Sequence, residues 1–331
     1  SQRMPWSSLL EVAYVGNRSR DLPQTSGQGS AINLVPVGAT LSSKNGGIDP
    51  NSLVANNFRP LQGFGNIALA TNGLYSNYNS MQMTWVRTKG RYVINLNYTY
   101  GKAMGIVNAS RDPFNLRNDY GVLPTNRTHI FNAAYSIELG DPVRNKAAGY
   151  VVNGWQVSGI LQWQSGANLT GFSSNNNFGA NYNHYKVPGT QFDVSNLSLL
   201  GTDAIQLNPT LTCDPASGLG KNQFINPNCF GIPTALGQNG PTVLPAVYGP
   251  AFFNADLGLF KNFALGEVRK IQLRFNAYNF LNHPLWSFNG SNLNLNFDAN
   301  GKITPQSDAN FGAVTEKQGH RVVQLAVKFY F

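Results

Sequence analysis

The chain has 331 residues, of which 42% are hydrophobic, 12% aromatic and only 12% charged, with 34 glycines and a formal net charge of +9. An ordinary soluble domain carries about 25% charged residues, and no stretch here approaches the roughly 18 uncharged apolar residues that a membrane helix needs. A bilayer could therefore be crossed only by a barrel, because hydrocarbon tolerates no unpaired backbone.

The amino terminus, SQRMPWSSLLEVAYVG, lacks a basic segment followed by an apolar run and a small-residue cleavage site, so no signal peptide is visible. It runs straight into alternation at Leu10, Val12 and Tyr14, as expected of a processed protein or of the carboxy-terminal part of a longer polypeptide.

Period-two alternation predicts eight strands, over 8–17, 76–88, 91–104, 126–139, 153–169, 251–263, 268–283 and 320–331. In the second, Met81, Met83 and Trp85 oppose Gln82 and Thr84; in the third, Tyr92, Ile94, Leu96, Tyr98 and Tyr100 oppose Val93, Asn95, Asn97 and Thr99. The fifth sets Trp155, Val157, Leu161 and Trp163 against Gln156, Ser158, Gln162 and Gln164, and the seventh sets Ile271, Leu273, Phe275 and Ala277 against Gln272, Arg274 and Asn276. The last, RVVQLAVKFYF, is apolar at Val323, Leu325, Val327, Phe329 and Phe331 and mixed on its other face. Amides and hydroxyls on one side of nearly every strand suit a hydrated lumen, with those side chains facing inward and the greasy face meeting lipid.

Long and short connections alternate. Those at 18–75, 105–125, 170–250 and 284–319 are long, those at 89–90 and 264–267 are short, and 140–152 is intermediate. Outer-membrane barrels put short turns in the periplasm and long loops outside, so the long connections are expected to be extracellular and Phe331 periplasmic. Trp155 and Trp163 lie eight residues apart on one face, about 26 Å along a strand and roughly 20 Å along the membrane normal after tilting. They, with Trp85 near the inner edge and Trp286 just beyond the outer one, are expected to be interfacial aromatics.

Cys213 and Cys229, the chain's two cysteines, share the longest loop and are expected to form a disulfide in an oxidising compartment. A metal site is the rival reading, but no histidine lies nearby and two thiols alone are incomplete. Catalytic patterns are missing. His129, His184, His283 and His320 fall in different segments, Asp112 and Asp119 share a loop in which they serve as easily as turn residues, and no nucleophile elbow, phosphate-binding loop or dinucleotide fingerprint occurs. No enzyme, cofactor or metal is expected. The positive charge is spread over turns (Lys89, Arg91, Arg144, Lys146), inward positions (Arg274, Lys328) and loops, with no basic helix or aromatic platform, so nucleic acid is not the expected partner. Anionic lipid headgroups, or a pore favouring anionic solutes, fit it better.

Several segments together resemble the barrel of Oar-like TonB-dependent receptors: EVAYVGNRSRDLP (Glu11 to Pro23), SNYNSMQM (Ser76 to Met83), NYTYGKAM (Asn97 to Met104), NRTHIFNAAY (Asn126 to Tyr135), GWQVSGILQWQSG (Gly154 to Gly166), NPNCF (Asn226 to Phe230) and RFNAYNFLNHP (Arg274 to Pro284). Such receptors abound in Acidobacteria and related Gram-negative groups. The resemblance implies an all-β fold in which this chain is the carboxy-terminal portion, about eight antiparallel transmembrane strands with long extracellular loops, of a plugged barrel of about 22 strands. It implies uptake of a large or scarce solute powered through TonB. The plug that would engage TonB, the TonB box and the regulatory-like domain are not in this sequence. It further implies that Phe329 and Phe331 form the terminal signal read by the barrel-assembly machinery. Expected partners are outer-membrane lipid, that machinery, TonB through the plug, and a solute or extracellular partner of unknown identity. The alternatives are a self-contained eight-stranded outer-membrane anchor or adhesin, and a soluble or filament-forming β-rich binding protein.

Overall fold

A computed structural model describes residues 1–24, 30–41, 48–106, 111–169, 186–187, 189–244, 247–266, 268–289, 293–298 and 300–331. His184 lies outside them. The strands are β1 (Gln2–Met4), β2 (Ser8–Gln24), β3 (Thr71–Arg87), β4 (Tyr92–Ile106), β5 (Tyr120–Val122), β6 (His129–Gly140), β7 (Trp155–Gln164), β8 (Thr210–Leu211), β9 (Phe230–Gly231), β10 (Phe252–Leu265), β11 (Arg269–Tyr278), β12 (Leu285–Ser287), β13 (Glu316–Gln318) and β14 (Val322–Tyr330). Three short helices, α1 (Lys146–Val152), α2 (Asn196–Leu199) and α3 (Pro305–Asn310), lie in connections.

One antiparallel sheet carries the eight long strands as a meander, in the order β1-β2-β3-β4-β6-β7-β10-β11-β14, with β5 paired to β4. Each predicted strand has its counterpart. The first two run further than their alternation indicated: β2 continues to Gln24 and β3 begins at Thr71, with register shifts between Ser19 and Gln24 where Asp21 takes φ 54°. A bulge of this kind breaks strict alternation while keeping the ladder. The connection expected over 18–75 is correspondingly shorter. The sequence reading also missed β1, which folds back on Ser8–Leu10 through a turn in which Trp6 and Ser7 take positive φ.

The register holds each face together. Leu10, Trp85, Leu96, Ala133, Leu161 and Ala255 form one transverse row; Glu11, Thr84, Asn97, Asn132, Gln162 and Asn254 form the adjacent row on the other face. Asn97 accepts from Thr84 at 3.0 Å, and Gln156 donates to Ser136 at 2.8 Å, so the polar face is knit across strands. The apolar face stays open: Val12, Leu273, Leu325 and Val327 are all well exposed, Leu325 by 75%. An uncovered apolar surface of this extent marks a surface made for something other than water.

The hydrophobic core lies instead among the long connections, which join into a dome at one end of the sheet. Leu169, Val194, Leu199, Ile225, Leu293 and Phe311 are almost fully buried there. At the opposite end two connections are tight, four residues with Gly90 at φ 76° between β3 and β4 and three beginning with Gly266 at φ 87° between β10 and β11, while the one between β6 and β7 carries α1. Such turns need φ values that glycine adopts freely.

Candidate functional site

The dome is stitched from separate connections. The first meets the third where Thr40 donates through Oγ1 to the Leu197 carbonyl at 2.8 Å, Thr202 donates to the Val35 carbonyl at 2.6 Å, and Arg59 pairs with Asp203 at 2.7 Å. Gly38 and Gly201 approach so closely that a Cβ on Gly201 would lie 2.4 Å from the Gly38 Cα. Glycine is required there by space as well as by φ. The third meets the fourth through Phe224 N to Gly312 O at 2.7 Å and Val314 N to Asn222 O at 2.9 Å. Alternation in Leu293, Leu295 and Phe297 puts three apolar side chains into this core. Cys213 and Cys229 are disulfide-bonded, with Cα atoms 4.8 Å apart, and the bridge anchors the segment leading into β9.

Between the first three connections lies a cavity of about 620 Å³. Val37, Leu41, Leu199 and Ile205 give it an apolar side; Asp112 and Asn118 give it a polar one. Small-molecule sites share this composition, mostly apolar with a few placed polar groups. Behind its polar side, Arg111 donates to the Thr242 carbonyl and Asp119 is fully buried. Asp119 Oδ2 accepts from the Asp112 amide at 3.3 Å, and Oδ1 has no hydrogen-bond partner among the described residues. Burial pushes the Asp119 carboxyl up to about 7, against the opposing pull of the Asp112 amide and the Arg111 guanidinium. Burial likewise lowers the Arg111 pKa.

Gln156, Gln162, Gln164, Gln272, Arg274 and Asn276 share the polar face of the sheet. Arg274 donates to Gln272 at 2.7 Å and to Tyr330 at 3.0 Å. A depression of about 400 Å³ on this face is lined by Asn95, Ser136, Ser158, Asp256 and Asn276, with Asp256 Oδ1 accepting from the Asn279 amide at 2.8 Å. On the apolar face Trp163 stands among Tyr98, Tyr100 and His129 near the dome; the His129 ring lies 6.1 Å from Trp163, and its Nδ1 is 2.8 Å from the Tyr98 hydroxyl. Trp155 stands at the other end beside Lys261. Trp85 sits opposite Leu10 and Leu96 within the sheet, and Trp286 lies in the dome on β12. Phe329, paired with Ile271 in the last rungs of the sheet, stacks at 6.1 Å on Phe331 just past the end of β14, Phe331 93% exposed. The remaining described histidines are dispersed: His283 faces Phe253 at 5.3 Å and His320 precedes β14. The dome cavity and its buried carboxylate escaped the sequence reading, in which Asp112 and Asp119 share a loop and serve as easily as turn residues. Asp112 does accept from the Phe114 and Asn115 amides, the turn role expected of it.

An antiparallel meander with a polar face, an exposed apolar face and aromatics at both of its ends has the organisation of a barrel wall built for a bilayer. Residues 1–324 match the family described as an outer membrane beta barrel domain, and the chain belongs to that family. That membership sets aside the soluble and filament-forming alternative. Comparison with curated proteins finds no match. Among solved structures, the outer membrane transporter YddB from Escherichia coli is similar over 100% of this chain and 31% of its own, at 10% identity and a TM-score of 0.39. The chain thus spans about a third of that structure's length.

Proposed function

We propose that this chain is the carboxy-terminal wall and loop dome of an Oar-like TonB-dependent outer-membrane receptor, a non-enzymatic uptake protein whose long connections are extracellular. The dome captures the solute and the polar face of the sheet forms part of the lumen through which it passes. The carrying observation is that the long connections build their own core around a cavity of about 620 Å³, at the end of a sheet whose polar face is hydrogen-bonded across strands. Loops that only shielded the barrel mouth would have no need of a packed interior. Energy coupling is assigned to a plug and to TonB, outside these residues.

The reading is tested in cells by following depletion of solutes from the medium. Wild-type protein is expected to deplete a solute in a manner that dissipating the proton gradient stops, and a variant lacking residues 189–244 is expected to insert in the outer membrane yet deplete nothing. Depletion by that variant, or depletion indifferent to the gradient, would overturn the assignment. Removing Phe331 is expected to slow insertion into the outer membrane, measured as loss of the heat-modifiable folded band; unchanged insertion would remove the assembly-signal role.

A further inference from the structure

Away from the dome, at the short-turn end, a lysine lies on the apolar face. Lys261 occupies the outward register of β10, between Leu259 and Phe263 and opposite Trp155 and Leu273, and is only 4% exposed. Its ammonium donates to the Asn153 carbonyl and lies 5.7 Å from the centroid of the Trp155 ring and 5.0 Å from that of Phe263. No carboxylate among the described residues pairs with it. A buried cation held by one carbonyl and two ring faces remains short of charge compensation.

The segment beside it is built, not loose. Asn153 receives the Val143 amide at 3.0 Å and donates to the Val143 carbonyl at 2.7 Å, closing residues 143–153 into a ring that contains α1. The Trp155 indole donates to the Val151 carbonyl at 2.6 Å, docking the end of α1 on the apolar face. Between this segment and β10 lies a cavity of about 490 Å³, onto which Arg144, Lys146, Lys261, Phe263 and Asp141 open. Asp141 is engaged by the Gly154 amide at 3.1 Å. The site carries three cations against one carboxylate. Tyr150, Val151 and Val152 stand 65%, 69% and 44% exposed next to it.

We infer that this cavity binds the phosphate of an anionic phospholipid. Arg144 and Lys146 meet the phosphate from the aqueous side, Lys261 meets it from below, and Tyr150, Val151, Val152 and Phe263 receive the start of the acyl chains. Cations at headgroup depth, flanked by an apolar surface that continues the lipid-facing side of the sheet, are the features that select a lipid over a soluble anion.

The test is native mass spectrometry of the intact protein, refolded in detergent micelles doped with dimyristoyl phosphatidylglycerol or dimyristoyl phosphatidylcholine. The wild type is expected to retain one phosphatidylglycerol in preference to phosphatidylcholine. Retention is expected to fall about fivefold for each cation removed in the doubly substituted Arg144→Gln, Lys146→Gln protein and in Lys261→Met. Excess inorganic phosphate is expected to leave retention unchanged, since it cannot use the apolar surface. Equal retention of the two lipids, wild-type retention by the double variant, or displacement by inorganic phosphate would each overturn the proposal. Arg144 and Lys146 are exposed, so the double variant decides the matter even where Lys261→Met fails to fold.

Discussion

The dome and the wall place their apolar side chains oppositely. In the dome, Leu199, Ile225 and Phe311 are at most 1% exposed and belong to one packed cluster, while Leu325 and Val327 on the wall stand 75% and 71% exposed. One region gains stability as a water-soluble protein does, by withdrawing apolar area from solvent into a close-packed interior. The other is held by ladder hydrogen bonds and cross-strand pairs and leaves its apolar area uncovered, as a wall built to face lipid would. The two are expected to respond independently to substitution and to respond differently to the solvent around them.

The largest effect that would break this division is expected from Phe311→Ala. Truncating a phenylalanine in a packed interior costs about 3–5 kcal/mol, so hydrogen exchange should quicken across the dome, including the Phe230 and Gln223 segments that pack on Phe311. Exchange in β3 and β4 should stay as it was. Equal acceleration in those strands would make dome and wall a single cooperative unit.

The wall has its own counterpart in Leu325→Arg. On a surface facing hydrocarbon, arginine near the bilayer midplane costs about 2–4 kcal/mol, whereas at a position exposed to water it costs almost nothing. Urea unfolding from lipid vesicles should show the loss, with proteolysis of the dome unchanged. An unaltered midpoint would mean that the exposed face of β14 does not meet lipid.

Cys213→Ser together with Cys229→Ser sharpens the comparison within the dome. The bridge closes a span of 16 residues, and releasing it should cost up to about 3 kcal/mol in the chain-entropy account. Protease sensitivity is expected to rise over the segment between the two positions. Wall stability, read as heat-modifiable mobility on a gel, should not change.

This division also explains which parts were legible in the sequence. Each wall strand faces two different solvents, so its pattern has period two, and eight strands follow from residues such as Gln162, Gln164, Gln272 and Asn276 alternating with Leu161, Trp163, Leu273 and Phe275. The dome obeys no period. Leu199, Ile225 and Phe311 are brought together from two connections by backbone contacts such as Phe224 N to Gly312 O, which no local pattern announces. Leu293, Leu295 and Phe297 do alternate, and that signal lay inside a stretch read as loop. Lys261 was hidden for another reason: it interrupts an apolar face, and only the pairing of β7 with β10 shows that Trp155 and the Asn153 carbonyl lie beside it.

A change of pH should also act on the dome alone. Asp119 has an ordinary pKa of 3.8 and is pushed up to about 7 by burial, with the Arg111 guanidinium, the Asp112 carboxylate and the Thr242 side chain as its neighbours. A carboxyl whose pKa is raised on folding favours the folded state when protonated. Its contribution is therefore fully present below about 3.8 and is lost as pH rises through about 7. Dome exchange rates in the wild type should increase between those limits as pH rises, beyond the intrinsic chemistry of exchange. Asp119→Asn keeps the shape without the charge and should flatten that dependence, leaving the dome at neutral pH more protected than in the wild type. A dependence of the same size in the asparagine variant would move the titration to another group, and one appearing in β10 or β11 would show that dome and wall are coupled after all.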